Sequence, residues 1–188
     1  LAELAREPFE QHSDSYGVGG NTFRAFGAYG EAPSKVYRGW AEGVCKRLDV
    51  VELPSRICSK EGFQRWHSSL AASLDRAWFT AYGKTLSVAH KYKLIDLFIK
   101  WLSRYDHGSP KFSKALLDHA NCPLDSQSLA KLNACLNHAL PVARPSMGNI
   151  RTEQTYRFCQ ALVEDFARSN GGSKLLFDYY AWKEGDGK

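Results

Sequence analysis

The hydrophobic positions of this chain recur with the period of an α-helix almost throughout. Apolar residues three and four positions apart form one face of the segments 34–48, 59–82 and 152–170, while polar residues form the other. The segment 88–105 is apolar on most sides, a pattern typical of a helix at the centre of a bundle. The pattern therefore predicts an all-α fold of about seven helices.

Residues with capping chemistry mark the ends of these helices. Side chains that can accept the free N–H groups of a first helical turn precede five of the predicted helices: Ser34, Ser59, Ser109, Asp125 and Thr152. Pro110 fits the first turn of a helix that is expected to end near His119. Gly83 is a natural C-terminal stop for the helix before it.

Four segments are less regular. A short helix, weakened by a proline, is expected at Leu1–His12. The segment 13–31 is rich in glycine and aromatic residues and indicates an ordered loop, and Pro54 is expected to end a connector. The apolar run Leu175–Trp182 is short enough to be either a helix or a strand.

Composition narrows the class of protein without deciding its function. The 188 residues are 44% hydrophobic and 24% charged, as in a globular protein that can bury a core in one domain or in two helical lobes. The net charge of +5 is compatible with a nucleic-acid partner, but lysines and arginines are scattered. Five cysteines without a Cys-x-x-Cys pair favour a reducing, cytoplasmic setting. Asp96 and Lys100 interrupt the longest apolar stretch, which argues against a membrane span, and no signal peptide is visible.

Two charged residues are placed where they can do chemistry. Lys93 lies in the apolar segment 88–105, where burial favours the neutral amine that a nucleophile requires. Asp125 lies at the start of a helix, where backbone N–H groups and the positive helix end keep a carboxylate ionised. An ionised carboxylate there is suited to face a cationic transition state.

Lys93 and the element Pro123-Leu124-Asp125-Ser126 resemble the catalytic elements of helix-hairpin-helix DNA glycosylases, most nearly those of the archaeal 8-oxoguanine type. The resemblance implies that Lys93 is a Schiff-base nucleophile, that Asp125 assists it, and that no cofactor is needed. It extends to Asp178 and Trp182, whose spacing is similar to that of two residues that shape the family's base pocket. Trp182 would then stack on a flipped base, and Asp178 would accept a hydrogen bond from a purine N–H.

The resemblance also implies an architecture and a DNA contact. Residues 59–188 would form the glycosylase-like core of a two-lobed bundle, and residues 1–58, which do not align, would belong to the N-terminal lobe. The hairpin of this superfamily usually carries a Gly-x-Gly turn whose amides hold a DNA phosphate. Here the turn has only Gly83, so that Gly83 and Lys84 are the expected DNA contacts, with Lys84 acting through its charge.

The function implied is that of a monomeric DNA glycosylase and AP lyase that removes an oxidised purine, such as 8-oxoguanine, from duplex DNA. The alternative is a non-catalytic helical DNA-binding or interaction module that keeps the fold. The reduced glycine pattern of the hairpin favours this alternative.

A zinc site is a competing interpretation of four further residues, which form a His-x2-Cys…Cys-x2-His array: His119, Cys122, Cys135 and His138. The order of the ligands is unusual, and the segment after Cys122 crowds the first pair. Buried cysteines and histidines at helix ends are the simpler interpretation. We therefore expect no metal.

Overall fold

The computed structural model describes residues 15–141 and 144–183, and these are organised almost entirely as helices. Eight α-helices lie within them: α1 (Pro33–Cys45), α2 (Leu53–Ile57), α3 (Lys60–Tyr82), α4 (Val88–Arg104), α5 (Pro110–His119), α6 (Ser126–Cys135), α7 (Glu153–Ser169) and α8 (Lys174–Lys183). The predicted all-α fold is confirmed. The helix expected at Leu1–His12 lies outside the described residues.

Four of the eight described helices begin directly after a residue predicted to cap them, although the side chain of Ser109 makes no capping hydrogen bond to α5. The side chains of Ser59, Asp125 and Thr152 each accept a hydrogen bond from a backbone N–H of the first turn of α3, α6 and α7. Gly83 ends α3 in the left-handed conformation, with φ of 63°. The cap predicted at Ser34 is wrong by two residues, since α1 begins at Pro33 with Ala32 at the N-cap position, and the fixed φ of Pro33 suits a first helical position.

Short helices occur where the sequence indicated loops or connectors. Pro54 lies in the first turn of the five-residue helix α2, because a proline without an N–H is tolerated at that point. A 3₁₀ helix, Thr22–Phe26, lies within the predicted N-terminal loop, and a second one is formed by Met147–Asn149. The ambiguous segment Leu175–Trp182 lies in helix α8.

Helix α4 lies at the centre of the bundle, as its apolar sequence predicts. It packs against α3, α5 and α7, and Leu94, Ile95, Phe98 and Ile99 are completely buried. Buried apolar residues from all eight helices join one continuous cluster. The division into two lobes stays a prediction.

The segment before α1 approaches the central helix very closely at one glycine. Gly17 has φ of +80°, and a Cβ placed on it would lie 2.6 Å from the carbonyl oxygen of Leu97 and from Cβ of Trp101. The neighbouring Tyr16 ring meets Trp101 edge-on, with ring centroids 5.4 Å apart. The hydroxyl of Tyr37 donates a hydrogen bond to the backbone oxygen of Tyr16 at 2.7 Å. The N-terminal segment is thereby fixed against α4.

The structure bears on two expectations from the sequence, the absence of a membrane span and the state of the cysteines. Among the described residues, no helix combines the length and the apolar character that crossing a bilayer requires. All five cysteines carry free thiols. The cytoplasmic location stays a prediction.

Candidate active site

The structure brings Lys93 and Asp125 into direct contact. Lys93 lies in the second turn of α4 and is only 7% exposed. Its Nζ donates a hydrogen bond to Oδ2 of Asp125 at 2.7 Å, across 32 residues of sequence. The chain between them completes α4 and then forms α5, and the residue before α6 lies beside the second turn of α4. An amine and a carboxylate therefore meet at a mostly buried point.

Two separate contacts fix the orientation of the Asp125 carboxylate. Its Oδ1 accepts a hydrogen bond from the backbone N–H of Ser128 at 2.8 Å, and the Ser128 hydroxyl accepts one from the N–H of Asp125, also at 2.8 Å. This reciprocal capping box leaves Oδ2 directed at Lys93. Asp125 is thus both a helix cap and the partner of the amine.

A second buried ion pair lies beside the first. Lys100 follows Lys93 by two turns of α4, and its Nζ contacts Oδ2 of Asp178 in α8 at 2.5 Å. Burial raises the pKa of Asp178, although the charges of Lys100 and Lys93 counteract this effect. Burial lowers the pKa of Lys100, but the nearby Asp178 and Tyr179 outweigh it and leave that pKa above its ordinary value. Lys100 is therefore a cation at neutral pH.

One carboxylate oxygen of Asp178 is buried without a hydrogen bond from any described residue. Among the described residues, its Oδ1 has no hydrogen-bond partner, although the residue is only 1% exposed. Trp182 lies one helical turn later on α8 and is 45% exposed. The two residues of the predicted base pocket therefore differ in setting, since the carboxylate is buried and the indole is accessible. Their role in binding a base stays a prediction.

A buried glutamine forms two hydrogen bonds to the backbone of the segment that carries Asp125. The side-chain amide of Gln160 in α7 accepts from the backbone N–H of Cys122 at 3.0 Å and donates to the backbone carbonyl of Cys122 at 2.7 Å. Both residues are buried. This pair of hydrogen bonds satisfies two backbone groups three residues before Asp125, where the chain has no regular structure.

A buried polar network continues from this segment into α3 and α4. Asn121 donates a hydrogen bond to the hydroxyl of Tyr156 at 2.9 Å, and this hydroxyl donates to Oδ2 of Asp96 at 2.7 Å. The other carboxylate oxygen of Asp96 accepts from Nε2 of His67 at 2.8 Å. The network links four helices or segments that are far apart in sequence, so spacing along the chain gave no signal for it.

We expect that replacing Gln160 by alanine will loosen the Asp125 segment. Two buried backbone groups of Cys122 would lose their partners, which should lower the free energy of unfolding by about 1–3 kcal/mol. Opening of the segment should also speed alkylation of the buried Cys122 thiol, measured by mass spectrometry of its peptide. Replacement of the exposed Gln64 by alanine is the control. Equal alkylation rates in the two variants would show that Gln160 does not hold the segment.

The hairpin between α3 and α4 offers fewer phosphate donors than the predicted DNA contact requires. The amide of Gly83 donates to the carbonyl of Phe79 at 2.8 Å, so it is committed to ending α3. Lys84 is exposed on the same turn, so its charge is accessible from solvent. The DNA contact at Gly83 and Lys84 stays a prediction that depends mainly on the lysine.

The four residues of the zinc-like array have different environments. His119 donates a hydrogen bond from Nε2 to the backbone oxygen of Cys58 at 3.0 Å, and Cys122 is fully buried. Cys135 is half-buried and His138 is exposed with φ of 62°. Within residues 15–141 and 144–183, no three histidine, cysteine or acidic side chains are grouped so that they could hold a metal ion. The structure gives this alternative no support.

Comparison with protein-family models, with curated proteins and with solved structures found no match to this chain.

Proposed function

We propose that this chain is a DNA glycosylase and AP lyase that removes an oxidised purine, such as 8-oxoguanine, from duplex DNA. The observation that carries the proposal is the contact between Lys93 Nζ and Asp125 Oδ2 at 2.7 Å. A buried lysine in contact with an oriented carboxylate has both groups that covalent attack on a nucleotide sugar requires. Duplex DNA containing a damaged base is the proposed partner, the protein acts as a monomer, and the chemistry needs no cofactor.

The chemistry begins with a proton transfer along the observed hydrogen bond. Asp125 takes a proton from the Lys93 ammonium, and the freed electron pair of the amine attacks C1′ of a flipped nucleotide. The bond between C1′ and the base breaks, its electron pair leaves with the base, and the base takes up the proton that Asp125 holds. The sugar ring then opens as Asp125 carries a proton from the attached nitrogen to O4′, which yields a protonated Schiff base. Loss of a C2′ proton from it expels the 3′-phosphate and cuts the strand.

The neighbouring pair, Lys100 and Asp178, supports recognition of a base. The Oδ1 atom of Asp178 is a buried acceptor without a partner among the described residues, and 8-oxoguanine carries an N7–H donor that guanine lacks. A hydrogen bond between them would distinguish the oxidised base from the normal one, since an unpaired buried acceptor is costly. The exposed indole of Trp182 offers a surface on which the base can stack.

Borohydride trapping tests this proposal. The wild-type protein is incubated with labelled duplexes that carry 8-oxoguanine, uracil, an abasic site or no lesion, and borohydride reduces any Schiff base to a stable adduct. Adducts with the 8-oxoguanine and abasic duplexes, but not with the intact one, are the expected result. An adduct with the abasic duplex alone would refute base excision, and folded protein that yields none would refute the whole reaction.

The alternative is a non-catalytic DNA-binding or interaction module that keeps the fold. The commitment of the Gly83 amide to ending α3 favours it, because the hairpin then grips a phosphate less well than an active enzyme would need. This alternative predicts DNA binding that weakens with salt and is indifferent to lesions. Affinity for an 8-oxoguanine duplex well above that for an intact duplex would contradict it.

A further inference from the structure

A groove of about 860 Å³ lies between helix α3 and the region where α1 leads into α2. Neither Lys93 nor Asp125 lines it. Four arginines contribute to its walls: Arg47, Arg56, Arg65 and Arg76. We call this space the arginine groove.

All four arginines of the arginine groove are exposed. Within the described part of the chain, none of them forms an ion pair, whereas other surface cations, such as Lys46 and Lys114, are paired with a carboxylate one helical turn away. The groove also contains Asp49 and Glu52, which leaves a formal charge of +2 for its lining. Oδ1 of Asp49 already accepts two backbone N–H groups. The groove thus keeps a net positive charge, and its guanidinium groups remain open to phosphates.

The arginines are spaced along the groove rather than gathered at one point. Arg65 and Arg76 are eleven residues apart in α3, which places them on nearly the same face about 16 Å apart along the helix axis. Arg56 and Arg47 contribute from the opposite wall. A single small anion cannot meet groups separated by this distance, but a polyanion with a charge at every nucleotide can.

An aromatic side chain lies in the same groove. Trp66 is half-buried there, and edge-on contacts with Phe63 and Phe112 hold its ring, with centroids 5.9 and 6.3 Å away. Aromatic rings that alternate with cationic side chains bind single-stranded nucleic acid, because each base can stack while its phosphate is neutralised. The bases of a duplex are paired and stacked on one another, so an unpaired strand is the form that can offer a base to the ring of Trp66.

We propose that the arginine groove binds a single strand of nucleic acid, with its phosphates on the four arginines and one base stacked on Trp66. This site is separate from the Lys93 pair, and the proposal does not depend on the chemistry proposed there. A peptide of acidic residues alone could meet the arginines but would place no aromatic ring on Trp66.

The test measures binding of a fluorescent twelve-residue thymidine oligonucleotide to the full chain at several salt concentrations. The logarithm of the binding constant is plotted against the logarithm of the salt concentration, and contacts with four phosphates should give a slope of about −3. Changing both Arg65 and Arg76 to glutamine should weaken binding at least tenfold and reduce the slope by about 1.4. The matched control changes Arg24 and Arg38 to glutamine, since both are exposed and neither lines the groove.

Tryptophan fluorescence provides a second measurement. A base stacked on Trp66 should quench its emission, and the Trp66→Phe variant should lose this quench while keeping the slope against salt. Equal weakening of binding in the two arginine double variants would overturn the proposal. A slope against salt that is the same in the Arg65/Arg76 variant as in the wild type would overturn it too. A glutamate peptide of equal charge that competes as well as the oligonucleotide would identify an acidic peptide as the ligand instead.

The two proposals can fail separately. Binding of the undamaged oligonucleotide should persist when Lys93 is replaced by glutamine, because Lys93 does not line the groove. Trapping of an abasic duplex should persist when Arg65 and Arg76 are replaced. Loss of both activities in either variant would contradict the separation of the two sites.

Discussion

Replacement of Lys93 by glutamine is expected to abolish the trapped adduct and to reduce base excision by at least about 10³-fold, the scale of loss when a covalent nucleophile is removed. The glutamine amide can still donate a hydrogen bond to Asp125, whose carboxylate accepts from Lys93 at 2.7 Å. The fold should therefore persist, but an amide nitrogen cannot form a Schiff base. The measurements are borohydride trapping and single-turnover excision on the 8-oxoguanine duplex.

Lys91 provides the matched control for this variant. It lies on the same helix and is nearly as buried, but its Nζ faces Asp75 at 3.1 Å and Glu153 at 3.6 Å. Changing Lys91 to glutamine should leave the adduct in place. If the Lys93→Gln variant is trapped as efficiently as the wild type, another amine is the nucleophile and the proposed function loses its basis.

Asp125 should respond differently to two substitutions, because it has two roles. Both variants leave the buried Lys93 ammonium without its carboxylate, which lowers the free energy of unfolding in each. Asparagine caps helices about as well as aspartate, so Asp125→Ala should cost about 1 kcal/mol more than Asp125→Asn. Both variants lose the carboxylate that faces Lys93 and the developing positive charge of the sugar. Excision should therefore fall by about 10²–10³-fold in both.

Thermal or urea unfolding and single-turnover excision separate the two roles of Asp125. An Asp125→Asn protein with the stability and the excision rate of the wild type would show that the residue is only a helix cap. A folded Asp125→Asn protein that caps α6 but has lost excision would assign the chemistry to the carboxylate. Ser128→Ala is a useful comparison, since it removes the other half of the capping box without removing the charge.

Local sequence features predicted the helices well, because caps and stops act over a few residues. Ser59, Gly83 and Thr152 mark their helices by chemistry that involves only the adjacent turn. The short helix α2 was missed for the same reason, since five residues carry too little periodicity and Pro54 suggested a break.

The candidate site was predictable only in part. Lys93 and Asp125 could be selected from their positions at a buried helix and a helix start, but their contact depends on how α5 returns the chain to α4. The hydrogen bonds of His67 and Tyr156 to Asp96 join residues 29 and 60 positions apart. The arginine groove likewise combines side chains from separate elements. Such arrangements are tertiary, and no spacing along the sequence specifies them.

The close approach of Gly17 to α4 also restricts how this protein can change during evolution. Any other residue there would place its Cβ 2.6 Å from Leu97 and Trp101, and the left-handed φ would add further strain. A substitution would push the N-terminal segment away from the helix that carries Lys93. Random mutagenesis with selection for folded protein should consequently recover glycine at position 17, while the neighbouring Gly19 and Gly20, whose Cβ positions meet no atoms, accept many replacements.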